Sequence, residues 1–210
     1  MIGQLNHALG HHDPNKPVRL LLRHGARLPI PKGVFGDQVY LTPQGHQESQ
    51  ALGQQIDHPL VDVFHSPVHR CAQTAINIIQ GAAQSVDIKE ASGLFLAYFK
   101  SQQEAEFLLA NHPVHDVASA LIEGQSIEGM KSLEEGSKDF LGQIFCSNQS
   151  GLQLFVSHDL LICLLNHYLL GLSKYNPKLW PGFLQGMVFW EAKETSYFSY
   201  AGETGTFLKP

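Results

Sequence analysis

Short apolar runs of strand length alternate with amphipathic stretches along this chain. Val18–Leu22 (VRLLL) is nearly continuous in its apolarity, which suits a strand covered on both faces, as in a parallel sheet. Val61–His65 (VDVFH) and Leu152–Val156 (LQLFV) read as two more strands, and Val86–Ile88 as a shorter one. Gly186–Ala192 and Ser196–Tyr200 alternate as a terminal hairpin does. Between them lie helical stretches. Thr42-Pro43 supplies a cap and a first-turn proline for a helix running to about Ile56, weakened by Gly45 and Gly53. Ser66-Pro67 repeats that start, with Val68, Ala72, Ala75, Ile76 and Ile79 on one face. Helices are further expected over 101–111, 114–121, 126–145 and 160–170. In the 126–145 helix Ile127, Met130, Leu133, Phe140 and Ile144 point inward. Residues 1–17 read as a loose polar arm and 28–41 as a loop. Strands alternating with helices predict an α/β class fold, a three-layer α/β/α sandwich around a mostly parallel sheet.

Composition narrows the class. The 210 residues suit a single domain, 1–210, in which roughly 90–150 forms a small cap insertion. Hydrophobic residues make up 43% and charged residues 16%, a globular balance. A net charge of -5 argues against a general polyanion binder, so no nucleic-acid partner is expected. The three cysteines form no CxxC pair, so neither a thiolate zinc site nor a disulfide framework is suggested. The N-terminal stretch lacks the basic and apolar regions of a signal peptide. The most apolar run, Leu160–Leu172, carries Asn166 and His167 and is too short to span a bilayer. A cytoplasmic protein without a membrane partner is the expectation. His7, His11 and His12 have a spacing that could share zinc on a helix, but the arm reads as non-helical, so no metal is expected.

Ligands of open α/β sheets sit beyond the carboxyl ends of the strands. Arg23, His24 and Arg27 follow the first strand, Arg70 follows the second, and His158 and Asp159 follow Leu152–Val156. This set suits phosphoryl transfer. Guanidinium forks match phosphoryl oxygens bidentately. A neutral imidazole can attack phosphorus, and a carboxylic acid can protonate the departing oxygen. The arginines supply the positive charge, so neither a metal nor another cofactor is called for. Singly, each residue has a plainer reading. Asp159 could simply favour the first turn of its helix. Arg70, at a helix start, is disfavoured by that dipole, a cost that a bound anion would relieve.

Leu22-Arg23-His24-Gly25-Ala26-Arg27-Leu28-Pro29 resembles the RHGxRxP signature of the histidine phosphatase superfamily. Ser66-Pro67-Val68-His69-Arg70 with Gln73-Thr74-Ala75 resembles its second motif, Ser157-His158-Asp159 its third, and Leu41-Thr42-Pro43-Gln44-Gly45 the segment between the first two. The resemblance implies the phosphoglycerate mutase-like fold. It implies a metal-independent phosphomonoester hydrolase in which His24 is phosphorylated, Arg23, Arg27, Arg70 and His158 hold the phosphoryl group, and Asp159 donates the proton. An aspartate after the second histidine resembles the acid phosphatase branch. The mutase-like branch uses a glutamate in a segment like LxE, where Leu94-Phe95-Leu96 has leucine. Glu90 is the reserve acid. A phosphomutase and a weakly catalytic module that binds phosphate esters are the alternatives. The implied partner is a small phosphorylated substrate or a phosphoprotein.

Overall fold

A computed structural model describes residues 1–209. Its centre is a seven-stranded sheet formed by β1 (Pro17–Arg23), β2 (Leu60–His65), β3 (Ile88–Glu90), β4 (Gly151–Ser157), β5 (Gly186–Ala192), β6 (Thr195–Tyr200) and β7 (Glu203–Phe207). The order across the sheet is β3-β2-β4-β1-β5-β6-β7. β1 to β4 are mutually parallel where they pair, and β5 to β7 run antiparallel. Every residue of β1 is buried, as its continuous apolar run requires.

Helices cover both faces. On one side lie α1 (Ile2–His11), α2 (Pro43–Gly53) and α3 (His69–Gly81). They enclose a core with Leu20, Leu22, Leu154, Val156 and Val188 from the sheet. On the other lie α4 (Gly93–Leu96), α5 (Gln102–Asn111), α6 (Val114–Ile122), α7 (Leu133–Ile144) and α8 (Asp159–Leu169). They pack on Leu21, Phe155, Met187 and Phe189. Alternate residues of one strand thus feed opposite cores, the period of two expected of a pleated strand.

Several expectations are corrected. The N-terminal arm is not loose over its whole length, because residues 2–11 form α1, with Leu5 and Ala8 buried. Burying a leucine contributes about 1.5–3 kcal/mol, and Leu5 and Ala8 join the core that holds Leu20, Leu22 and Val188. The helix after β2 starts at His69 and not at Pro67, and the Ser66 hydroxyl both meets His158 Nε2 at 2.7 Å and accepts from Val68 N–H at 3.4 Å. Its buried face also turns. Ile76 is 42% exposed, and Cys71, Thr74 and Ile78 face inward. The 126–145 helix is shortened to 133–144, since Ser132 and Glu135 close a capping box and Gly129 has a φ of 81°. The third strand lies at Ile88–Glu90, two residues late, and β7 extends the terminal hairpin into a meander.

The two glycines that weakened the prediction for α2 serve close packing. A Cβ on Gly45 would lie 2.0 Å from the Ala26 carbonyl oxygen, and one on Gly53 2.1 Å from that of Ile78. Helix α2 therefore packs backbone to backbone against both the loop after β1 and α3. No helix among the described residues is long and apolar enough to cross a membrane.

Candidate active site

The parallel register fixes what gathers at the carboxyl edge. Arg23 is opposite Ser157 across β1 and β4, and His65 is opposite Val156 across β2 and β4. The residues that follow therefore emerge side by side. His24 N–H donates to Ser157 O at 3.0 Å, and Ser66 N–H to Val156 O at 2.9 Å. The His24 and His158 rings lie 5.6 Å apart, centre to centre.

His24 is 2% exposed. Arg70 Nε donates to His24 Nε2 at 3.0 Å. Arginine can only donate, so Nε2 carries the lone pair and Nδ1–H donates to Gly25 O at 2.8 Å. Burial is the main reason that the imidazole pKa falls well below 6.5, and the Arg70 charge lowers it further. His24 is thus a neutral imidazole with its Nε2 lone pair turned toward a guanidinium.

Arg70 stands in the first turn of α3 and is 6% exposed. Besides His24, it donates through Nη1 to Gly36 O at 2.7 Å, and its Nη2 lies 3.4 Å from His158 Nδ1. His158 is likewise buried, with its Nε2 2.7 Å from Ser66 Oγ. Burial first, then the three arginines, hold its pKa well below the ordinary value. Cys71 backs the same ring, its sulfur 3.6 Å from Nε2, and burial pushes this thiol up to about 12. It remains a packing group.

Arg23 is held from three sides. Nη1 donates to Pro181 O at 2.8 Å, Nη2 pairs with Asp159 Oδ2 at 2.7 Å, and the guanidinium lies 4.1 Å over the Phe183 ring. Its Nε is buried without a partner among the described residues, and Arg23 reaches the cavity described below only through its ion pair with Asp159. Arg27 is half-buried and donates to Leu28 O. Desolvation lowers the pKa of all three guanidinium groups, yet arginine remains cationic throughout the working range.

Asp159 opens α8, where Leu160 N–H donates to its Oδ1 at 2.9 Å. His24, Arg27, Arg70, His158 and Asp159 line one cavity of about 360 Å³, in which Asp159 is the only carboxylate among the described residues. Glu90 is not part of this group. It ends β3, exposed at the sheet edge. Leu96, at the position where the mutase-like pattern carries glutamate, does not line the cavity either, whereas Phe95 does. His65, at the end of β2, is buried, with its Nδ1 bonded to Ser66 O.

The second motif has further uses. Gln73 Oε1 accepts from Leu41 N–H at 2.9 Å, and Thr74 Oγ1 from Gly25 N–H at 2.9 Å. The helix that carries Arg70 therefore also fixes the loop after His24. The motif itself signalled Gln73 and Thr74. Nothing local signalled Pro181 and Phe183, which reach Arg23 from the loop before β5.

Several solved structures share the fold. A phosphoserine phosphatase from Entamoeba histolytica, solved with 3-phosphoglyceric acid, is 21% identical, with a TM-score of 0.58 over 82% of this chain and 90% of that one. Bacillus stearothermophilus YhfR is 14% identical, with a TM-score of 0.62 over 90% of this chain and 98% of that one. A phosphoglycerate mutase from Bacillus anthracis is 16% identical, with a TM-score of 0.56 over 92% and 93%. These likenesses show the phosphoglycerate mutase-like fold. No curated protein matches the chain. The sequence profile of the histidine phosphatase superfamily (branch 1) matches residues 20–187. With that match spanning most of its length, the chain belongs to the histidine phosphatase superfamily.

Proposed function

We propose that this protein is a metal-independent phosphomonoesterase that works through a phosphohistidine on His24. The observation that carries the reading is the Arg70–His24 contact, which leaves a neutral Nε2 lone pair facing the anion-binding donors. A phosphomonoester enters with its oxygens among Arg23, Arg27, Arg70 and His158. Arg70 transfers its donors from the imidazole to the phosphoryl oxygens. Nε2 attacks phosphorus as the bond to the leaving oxygen breaks, and Asp159 gives that oxygen a proton. In this step the phosphate takes Arg23 from Asp159, and a substrate arriving as the monoanion supplies the proton to the freed carboxyl group. Water then attacks phosphohistidine, gives its proton to Asp159, and the N–P bond breaks. Guanidinium charge stabilises both transition states.

Helix α4 brings Phe95, not a carboxylate, to the cavity, so Asp159 is the proton donor in this reading. Helices α5 and α6 act as the cap over the leaving group. The test is phosphate release from an aryl phosphate in the presence of EDTA, with intact-mass detection of a phosphoryl adduct. Wild type should release phosphate and form the adduct, and His24→Ala should do neither. Full activity in His24→Ala would overturn the mechanism.

A further inference from the structure

Beyond the phosphate donors, the cavity changes character. One wall comes from the loop after β1, through Ile30, Val34 and Phe35, and the facing wall from the α5–α6 corner, through Leu109 and Val114. Phe95 closes the inner end. Its ring lies 5.2 Å from that of Phe35 and meets His158 edge-on at 5.5 Å. The polar side chains outside the phosphate cluster are Lys32, Asn111 and His112, all exposed at the mouth. Val34 is 46% exposed, and Phe35, Leu109 and Val114 are half-buried. They therefore hold apolar surface that a ligand could remove from water.

A substrate whose body carries hydroxyls or a carboxylate would place them against the apolar side chains of Phe35, Phe95 and Leu109 and would lose part of their hydration. An apolar body loses nothing there. We infer that the site selects phosphomonoesters of alcohols with a ring-sized apolar body, with Val34 and Phe35 as specificity-determining residues. The chemistry rests on the phosphatase reading above, but the selection by the cavity walls stands on binding alone.

Two measurements separate the two claims. In the first, dissociation constants of phenylpropylphosphonate and methylphosphonate are measured on the wild-type protein. The apolar compound should bind at least tenfold more tightly, and Val34→Asp should narrow that ratio several-fold. In the second, kcat/KM is compared for 2-phenylethyl phosphate and glycerol 3-phosphate. Both are primary alkyl esters, so leaving-group acidity contributes little. The aryl-bearing ester should be preferred at least tenfold. Equal phosphonate affinities, or a ratio that Val34→Asp leaves unchanged, would overturn the inference even if hydrolysis occurs. Selective phosphonate binding with no turnover of either ester would overturn the phosphatase reading and leave the apolar selection standing.

Discussion

Arg23 Nη2 lies 2.7 Å from Asp159 Oδ2, so the cavity's carboxylate is paired with a guanidinium from the end of β1. In the proposed mechanism the pair lets an acidic group stand in the phosphate site without repelling its ligand, since phosphate would displace Asp159 from the same guanidinium. Asp159→Asn keeps the shape and a hydrogen bond but cannot pass a proton. Its loss of kcat should grow with the basicity of the leaving group. Little change is expected for p-nitrophenyl phosphate and about 10²–10⁴-fold for an alkyl phosphate. A uniform loss across leaving groups would count against the general-acid role. Glu90→Gln should match wild type on both.

Arg70 touches His24, Gly36 and a position beside His158 through three different nitrogens. Lysine offers one point charge in place of this fork. Arg70→Lys should lower kcat/KM by about 10²–10³-fold, the loss typical of an oxyanion donor. The circular dichroism spectrum should be unchanged.

His24 and His158 both have folded-state pKa values well below 6.5. Below about 6.5 the unfolded chain takes up protons that the folded chain refuses, so stability falls as pH drops. Each imidazole adds a slope of up to about 1.4 kcal/mol per pH unit, from 6.5 down to its folded pKa. Urea denaturation of wild type and His158→Gln between pH 7 and pH 5 tests this. The variant should lose less stability on acidification. Parallel curves would show that His158 is not a proton-refusing group.

Two helical glycines should respond oppositely to alanine. Gly142, in α7, is exposed and has nothing within 4 Å of a new Cβ, so Gly142→Ala should stabilise by about 0.5–1 kcal/mol. Gly53→Ala drives a methyl into the Ile78 carbonyl at 2.1 Å. The helix-propensity gain is then outweighed by strain, and a net loss of about 1–3 kcal/mol is expected. Denaturant midpoints of the two variants decide it.

Some of this protein is set by local sequence. The apolar run of Val18–Leu22 demands a strand buried on both faces, and RHGxRxP follows it directly, so His24 at a strand end was legible from the chain alone. The Ser-Pro, Gln-Thr-Ala and Ser-His-Asp segments likewise placed Arg70 and His158 at matching ends. Helix α1 was legible in principle, since Ile2, Leu5 and Leu9 keep helical spacing, but its polar composition hid a face that only the sheet makes worth burying. What tertiary structure alone decided are relationships between distant segments. The β1–β4 register brings His24 beside His158, and the loop before β5 delivers Phe183 and the Pro181 carbonyl to Arg23. The same chain path leaves Glu90 at a sheet edge and Asp159 in the cavity. Ser66 meets an imidazole ninety-two residues away. A motif fixes which groups a strand end carries, because strand geometry is local. Which groups face one another depends on strand order and helix packing, and those follow from burying both faces of the whole sheet at once.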